Sequence, residues 1–284
     1  MIINARSLNK LEGSGLILAD CRNIMDDSEA SAALVNSSPV KHSVHIKQTP
    51  WMYNADGING GRHPVPKAGV IDTLYHALRN GDNEAVLFAD KNSFFHTRLY
   101  YLFQLYGHKS CLWNDSMEKL EQAMAGRKTD DKSIDAISIQ ADIRTPAADI
   151  YRSMPDVQSR LGKSNTLLVD VRSRERYLGL EEPIDPVKGH IPGAVNIPTP
   201  AIYKDGVIDF SALEYLRNDF TKYEEIIVYC GSGMSATPMF VLLSEMGLPV
   251  KLYGGSFSEW ITDDSNGIET GDTPLNERMS RTHG

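Results

Sequence analysis

Short apolar runs alternate along this chain with longer segments in which apolar residues recur at helical spacing. Residues 226–229 form one such run, and a helical pattern follows at about 235–245. Residues 15–19 and 86–89 are similar runs, and helical spacing follows the second. Short apolar runs are typical of strands buried on both faces. The pattern predicts an α/β protein in which each half is a mostly parallel sheet flanked by helices.

The second half of the chain repeats the plan of the first. Asp20 and Arg22 end the first apolar run, and an equivalent pair, Asp170 and Arg172, follows 150 residues later. Residues 42–46 resemble residues 193–197 more faintly. Three further pairs share a separation of 140 residues: Asp90 and Cys230, Gly107 and Gly247, Asp115 and Gly255. A constant separation predicts an internal duplication of one βα unit.

The length and a polar stretch near the midpoint predict two domains. A chain of 284 residues is long enough for two cores of ordinary size. Residues 126–133 are polar and charged, as domain linkers commonly are. We therefore expect an N-terminal domain at 1–125, a linker at 126–140 and a C-terminal domain at 141–284.

Composition and charge exclude several classes of function. A net charge of −8 disfavours binding to nucleic acid or to an anionic membrane, so an anionic substrate requires local basic residues. We expect no transmembrane segment, because no apolar run is long enough to span a bilayer. The N-terminal residues do not have the pattern of a secretory signal. Three widely spaced cysteines predict neither a disulfide framework nor a metal site, and they favour the cytoplasm.

Cys230 is the strongest candidate for chemistry. It follows the strand at 226–229 and precedes a glycine-bearing turn, which places it at the carboxyl edge of a sheet. Gly231 and Gly233 allow the turn to curl, so that amides of residues 231–235 and the helix N-terminus face the sulfur and favour a thiolate. The alternative is that Cys230 is a small buried hydrophobic residue. Ser232 is either a hydrogen-bonding group or a turn residue, and Ser235 either bonds the thiolate or caps the helix.

Residues 230–236, CGSGMSA, resemble the active-site loop of the rhodanese-type sulfurtransferases, and more narrowly that of the mercaptopyruvate branch. Residues 188–198, KGHIPGAVNIP, resemble the GHIPGA signature of the family. Residues 170–172 and 253–260 match two further landmarks in the same order. The resemblance implies two tandem rhodanese-like domains with the active site in the cleft between them. It implies an inactive first domain, because the first half has Asp90 where the second has Cys230.

The resemblance also implies a mechanism. A small anionic donor gives its outer sulfur to the Cys230 thiolate, and a thiol, cyanide or a thioredoxin-like protein then accepts that sulfur from the persulfide. No metal or organic cofactor is required, and neither nucleic acid nor membrane is an expected partner. The implied site consists of Cys230 with a set of donor-binding residues: Arg176, His63, Gly231, Ser232, Gly233, Met234 and Ser235.

Two basic residues of this set have simpler explanations. Arg176 aligns with a family arginine that binds the negative charge of the donor, and a guanidinium suits a carboxylate because it can bind two oxygens. The alternative is a solvated charge run, because Arg172, Arg174 and Arg176 lie close together. We expect Arg172 to pair with Asp170 or Glu259, and Arg174 to lie on the surface. His63 lies in residues 61–66, which resemble a family segment that approaches the active site, although a surface-loop histidine is the commoner explanation.

The sequence departs from the family in the segment before GHIPGA. The mercaptopyruvate branch usually has a second arginine there, whereas residues 181–188 offer only Lys188. The thiosulfate branch has an Arg-Lys pair in the loop, where this chain has Gly231 and Ser232. The uncharged loop disfavours dianionic thiosulfate. We therefore expect 3-mercaptopyruvate to be preferred over thiosulfate.

Three alternative functions are judged by the residues that each of them requires. A cysteine phosphatase needs an arginine six residues after its cysteine, and that position is Ala236. A non-enzymatic persulfide carrier or redox sensor would use the same Cys230 and stays open. An intact loop argues against a catalytically dead binding module. Four other residues are expected to pack in the core: Cys21, Cys111, Tyr229 and Trp260.

Overall fold

The computed structural model describes residues 1–8, 16–79, 85–127, 134, 137–139, 142 and 144–274. Two compact units are present. The first consists of Met1–Gly57, Pro66–Ala147 and Asp205–Val207, and the second of Ile58–Val65, Ala148–Lys204 and Ile208–Gly284. The short segment Ile58–Val65 therefore belongs to the second unit. Most of the predicted linker at 126–140 lies outside the described residues, so the domain boundary stays a prediction.

The first unit alternates strands and helices, as the apolar runs predict. Its elements in chain order are β1 (Ile2–Ile3), β2 (Leu18–Asp20), α1 (Ser28–Asn36), β3 (Ser43–His45), α2 (Ala68–Ala77), β4 (Val86–Phe88), α3 (Phe95–Leu105), β5 (Cys111–Trp113) and α4 (Met117–Met124).

The chain from residue 151 to residue 260 follows the same alternation, and all of it except Asp205–Val207 belongs to the second unit. Its sheet and helix elements in chain order are β6 (Tyr151–Arg152), α5 (Met154–Gln158), β7 (Thr166–Asp170), α6 (Arg174–Leu178), β8 (Val195–Asn196), β9 (Tyr203–Lys204), β10 (Val207–Ile208), α7 (Arg217–Phe220), β11 (Glu225–Tyr229), α8 (Thr237–Glu245), β12 (Val250–Tyr253) and α9 (Ser256–Trp260). Short 3-10 turns occupy Thr199–Ile202 and Glu214–Leu216, and β9 pairs with β10.

The two main sheets share one strand order. Within the described residues, the first sheet runs β1-β5-β4-β2-β3 and the second runs β6-β12-β11-β7-β8. Neighbouring strands in both sheets are parallel. The α/β fold with mostly parallel sheets is therefore confirmed, and the shared order supports the predicted duplication.

The pair of charges at the end of β2 is repeated at the end of β7. Arg22 binds Asp20 at 2.6 Å, and Arg172 binds Asp170 at 2.7 Å, and all four side chains are buried. Each arginine neutralises a carboxylate that would otherwise be costly to bury. The prediction that Arg172 pairs with Asp170 is confirmed.

The strand register corrects one equivalence between the halves. Asp20 pairs with Phe88 in the first sheet, and Asp170 pairs with Tyr229 in the second. Phe88 and Tyr229 are 141 residues apart rather than 140. The position equivalent to Cys230 is therefore Ala89, not Asp90. Neither residue can carry a transferable sulfur, so the first half still has no nucleophile at this position.

One hydrophobic core cluster of the second unit lies against one face of its sheet. It is built by buried side chains of α5, β7, α6, β11, β12 and α9, among them Val157, Leu168, Tyr177, Ile227, Tyr229, Tyr253, Phe257 and Trp260. The expectation that Tyr229 and Trp260 pack in the core is confirmed. Cys21 and Cys111 are completely buried in the first unit, as expected. Among the described residues, no helix is long and apolar enough to cross a membrane.

Candidate active site

Cys230 directly follows β11 at the carboxyl edge of the sheet. The five residues of β11 are buried, and they lie between β7 and β12. Cys230 itself is only 1% exposed. The amide of Gly233 donates a hydrogen bond to the sulfur at 3.1 Å. This contact is possible because Gly233 has a φ of +78°, a conformation that glycine adopts without strain.

The residues after the glycine turn differ from the predicted helix start. Helix α8 begins at Thr237, and its N-cap is Ala236, which makes no side-chain capping bond. The prediction that Ser235 caps the helix is therefore wrong. Its carbonyl instead accepts a hydrogen bond from Oγ1 of Thr199 at 2.8 Å. Met234 is buried, and its carbonyl accepts a hydrogen bond from Oγ1 of Thr237 at 2.8 Å.

Hydrogen bonds join the Cys230 loop to the start of α9. Oγ of Ser256 accepts a hydrogen bond from the Cys230 amide at 3.2 Å, and the Phe257 amide donates to the Cys230 carbonyl at 3.0 Å. The Ser258 amide donates to the Gly231 carbonyl at 2.8 Å. Ser256 has a φ of +54°, which is unusual for a serine and is typical of residues at functional sites.

Helix α9 also anchors the segment Ile58–Val65, which carries His63. The Gly60 amide donates to Oε1 of Glu259 at 2.7 Å, and the Arg62 amide donates to Oγ of Ser258 at 3.1 Å. One helix thus holds both the Cys230 loop and this segment. As a result, residues far away in the chain reach the loop.

His63 contacts the loop directly. Its Nδ1 lies 2.7 Å from Oγ of Ser232, and both side chains are buried. The explanation of His63 as an exposed surface-loop residue is therefore wrong. The structure brings His63, Ser232 and Cys230 into one neighbourhood, as the family resemblance implies.

Two arginines lie over Gly231. A methyl group on the Cα of Gly231 would lie 2.8 Å from Nη2 of Arg62 and 3.4 Å from Nη2 of Arg176. The absence of a side chain at Gly231 therefore lets both guanidinium groups approach the loop backbone. Two cations beside the same loop form a site suited to an anion. Arg176 lies where the sequence places it, and Arg62 provides a second arginine.

Two buried carboxylates each bind a pair of arginines. Asp185 binds both Nη1 of Arg62 and Nη2 of Arg176, the latter at 3.0 Å. Glu182 binds Arg176 at 2.7 Å and Arg172 at 3.2 Å. The side chains of both acids are at most 2% exposed. The acids therefore hold the guanidinium groups in one arrangement.

The surroundings of Glu182 and Asp185 shift the pKa values of the two carboxyl groups in opposite directions. Burial would raise the pKa of Glu182, but hydrogen bonds from Arg176 and from the Asp185 and Ile184 amides outweigh it, so the pKa falls. Burial raises the pKa of Asp185, and the charge of Glu182 adds to this effect, while Arg62 and Arg176 oppose it. Burial is also the largest influence on Arg172, but Asp170 outweighs it and raises the pKa of the guanidinium.

The remaining basic residues of the sequence prediction lie elsewhere. Arg174 is 43% exposed and pairs with Asp272, which confirms its surface position. Nζ of Lys188 donates to the carbonyl of Leu180 at 3.3 Å on the exposed part of its segment. The positive charge at the loop therefore comes from Arg62 and Arg176. Within the described residues, no group of His, Cys, Asp and Glu side chains is arranged to hold a metal ion.

The site residues predicted from the sequence did not include Arg62, Asp185, Glu182 and Ser256. Arg62 directly precedes His63, so the same segment that suggested His63 carried the signal for its neighbour. Asp185 and Glu182 lie in the segment that lacks the second family arginine. The sequence shows that a cation is missing there, but not that these acids bind two arginines from other segments.

Comparison with known proteins identifies the family. A Rhodanese-like domain model matches residues 153–263. A probable 3-mercaptopyruvate sulfurtransferase of Pseudomonas aeruginosa is 30% identical over 281 residues, covering 93% of this chain and 95% of that protein. The chain belongs to the rhodanese-type sulfurtransferases. It is therefore an enzyme of the sulfurtransferase class, and residues 153–263 contain both Arg176 and the Cys230 loop.

Two further proteins that resemble this sulfurtransferase have different names, one a sulfur carrier and one a sulfurtransferase. The sulfur carrier protein TtuD of Thermus thermophilus is 33% identical over 200 residues, covering 64% of this chain and 69% of that protein. The solved structure of the 3-mercaptopyruvate sulfurtransferase SseA of Escherichia coli has a TM-score of 0.66 at 18% identity. The match covers 91% of this chain and 99% of SseA. At this identity the SseA match supports the fold alone.

Proposed function

We propose that this enzyme transfers sulfur from 3-mercaptopyruvate to a thiophilic acceptor through a persulfide on Cys230. The observation that carries the proposal is the arrangement around the loop. The Cys230 sulfur accepts a hydrogen bond from the Gly233 amide, and Arg62 and Arg176 lie over the neighbouring Gly231. A nucleophile and a site for an anion therefore occur side by side.

In the first half-reaction the Cys230 thiolate attacks the sulfur of 3-mercaptopyruvate. A sulfur–sulfur bond forms, the carbon–sulfur bond of the donor breaks, and its electron pair leaves as the enolate of pyruvate. The enolate takes up one proton and departs as pyruvate. In the second half-reaction an acceptor thiolate or cyanide attacks the outer sulfur and restores the Cys230 thiolate. This order predicts ping-pong kinetics.

The paired arginines support a carboxylate-bearing donor. Arg176 and Arg62 each present a guanidinium group to the region of Gly231, and a carboxylate has two oxygens to receive them. In this proposal, Arg62 replaces the second arginine that the segment before GHIPGA lacks. The donor carboxylate then orients the donor sulfur toward Cys230.

His63 and Ser232 supply a route for the proton. The Ser232 hydroxyl lies one residue beyond Gly231 and within hydrogen-bonding distance of His63. A serine held by a histidine can donate a proton to the departing enolate or polarise the donor carbonyl. Loop amides, including those of Met234 and Ser235, are proposed to face the bound sulfur.

The proposal is tested by measuring kcat/KM for 3-mercaptopyruvate and thiosulfate with cyanide as acceptor. We expect both donors to react and 3-mercaptopyruvate to be preferred. In a ping-pong mechanism kcat/KM for the donor reports only the first half-reaction, so the acceptor does not influence the comparison. Arg62→Gln is expected to reduce kcat/KM for 3-mercaptopyruvate, and Arg174→Gln, at an exposed arginine, serves as its control. A preference for thiosulfate in the wild type contradicts the proposed donor.

A persulfide carrier is the second candidate, because one relative is named a sulfur carrier protein. A carrier loads sulfur on Cys230 but releases it only to a protein partner. Incubation with 3-mercaptopyruvate, followed by mass measurement, would then show a stable gain of one sulfur atom. Multiple turnovers with cyanide or a small thiol support the enzyme, whereas a single turnover with these acceptors supports the carrier.

We also infer that the protein acts in a reducing compartment such as the cytoplasm. Cys21, Cys111 and Cys230 are buried and form no disulfide bond, and persulfide chemistry requires a reduced thiol. A thioredoxin-like protein is a suitable acceptor in such a compartment. The division into an N-terminal domain at 1–125 and a catalytic domain at 141–284 is part of the same proposal.

A further inference from the structure

Asp185 places a carboxylate inside the proposed donor site. Its two oxygens bind Arg62 and Arg176, the same guanidinium groups that lie over Gly231. The side chain of Asp185 is only 2% exposed, so water contributes little to its neutralisation. The arrangement resembles a carboxylate ligand bound between two arginines, but the carboxylate belongs to the chain itself.

This carboxylate changes the charge that a donor meets. Arg62 and Arg176 together carry two positive charges, and Asp185 cancels one of them. Glu182 binds Arg176 and Arg172, and Arg172 is also paired with Asp170. The three arginines are therefore matched by three carboxylates, and the cluster carries no net charge. A monoanion adds one negative charge to this partly buried site and a dianion adds two, so the Asp185 carboxylate repels a dianion more strongly.

We propose that Asp185 is the specificity-determining residue that makes the site select a monoanionic sulfur donor over a dianionic one. This inference rests on the proposed function. At neutral pH, 3-mercaptopyruvate carries one charge on its carboxylate, and thiosulfate carries two. The selection arises from the number of charges, so it needs no direct clash with thiosulfate. It also explains how two arginines can be present without favouring the dianion.

The test compares Asp185→Asn with the wild type. The amide keeps the size of the side chain and removes its charge, so the site gains one positive charge. We expect the ratio of kcat/KM for thiosulfate to kcat/KM for 3-mercaptopyruvate to rise about tenfold, since a unit charge at hydrogen-bonding distance acts strongly in a partly buried site. Glu181→Gln is the matched control, because Glu181 is an exposed acid on the same segment. Its donor ratio should equal that of the wild type.

Other results would overturn the inference. An unchanged ratio in Asp185→Asn would show that Asp185 only holds the arginines, and an equal rise in Glu181→Gln would show a general charge effect. Asp185→Glu retains the charge and should retain the wild-type ratio whatever its absolute rate. If the wild type uses neither donor, the proposed function fails before Asp185 is tested.

A second test uses the wild type alone, and it applies even if Asp185→Asn does not fold. Methanesulfonate and sulfate are tetrahedral anions of similar size that differ in charge. We expect methanesulfonate to be the stronger competitive inhibitor against the donor. Tighter competition by sulfate would contradict a site that selects monoanions.

Discussion

Nδ1 of His63 lies 2.7 Å from Oγ of Ser232, although 169 residues separate the two in the chain. Both side chains are buried, and Ser232 is two residues from Cys230. The contact depends on α9, because Glu259 and Ser258 fix the segment that carries His63. A histidine and a hydroxyl in contact beside a cysteine form a unit that can move a proton.

If His63 and Ser232 act as such a unit, their removal is not additive. We expect His63→Ala and Ser232→Ala each to lower kcat/KM for 3-mercaptopyruvate about 100-fold, as is typical of general acid–base groups. The double variant should lose little more than either single variant. His76→Ala, at an exposed histidine of α2, is the control and should retain wild-type activity. Additive losses would show that the two residues act separately.

Replacement of Cys230 should separate activity from folding. Cys230→Ala removes the only proposed nucleophile, so sulfur transfer should fall to background, and the gain of sulfur mass after donor treatment should disappear. Loss of one small buried side chain costs about 1 kcal/mol of unfolding free energy. Cys21→Ala and Cys111→Ala are matched controls, because both cysteines are also buried, and they should remain active. Turnover by Cys230→Ala would refute the persulfide mechanism.

Gly231→Ala should weaken donor binding more than stability. The new methyl group would lie 2.8 Å from Nη2 of Arg62, so the guanidinium group must move. Because the end of an arginine side chain is flexible, we expect a small change in unfolding free energy but a KM for 3-mercaptopyruvate raised about tenfold. Gly60→Ala is the control, because its methyl group would meet Glu259 at an ordinary 3.4 Å. Equal effects of the two substitutions on KM would exclude a role for Arg62 displacement.

Glu182 should stabilise the fold in a pH-dependent way. Its pKa is lower in the folded protein than its ordinary value of 4.5, so it contributes stability above that value and loses it as the pH falls through the folded pKa. Glu182→Gln should cost about 1–3 kcal/mol of unfolding free energy at pH 7. Urea unfolding between pH 3 and pH 8 should show this difference shrinking below about pH 4.5. A difference that is constant with pH, or that also appears in Glu181→Gln, would contradict this account.

The elements that depend on local pattern could be predicted from the sequence. The strand expected at 226–229 is observed at Glu225–Tyr229, because a buried parallel strand requires a continuous apolar run. Asp170 and Arg172 pair as expected, since residues two apart at a strand end are close in any arrangement of the rest. The position of Cys230 at the sheet edge follows from the same run and the glycine turn.

Smaller errors arose where local pattern is ambiguous. Helix α8 begins at Thr237 rather than near Ser235, because the glycine turn continues through Ala236. Ala89 rather than Asp90 is equivalent to Cys230, because β4 and β11 are separated by 141 residues, whereas β5 and β12 are separated by 140. A one-residue difference of this kind is visible in the strand register but not in a list of matching residues.

The sequence by itself therefore determined the α/β class, the repeated strand plan and the position of Cys230 at the sheet edge. The tertiary structure decided which groups surround Cys230. Arg62 and His63 lie on a segment that hydrogen bonds attach to α9, and Asp185 binds Arg62 from a third segment. Such contacts join residues more than 100 positions apart, and their formation depends on the packing of whole elements. Periodicity and composition report only on neighbours in the chain, so they cannot show which distant charges meet.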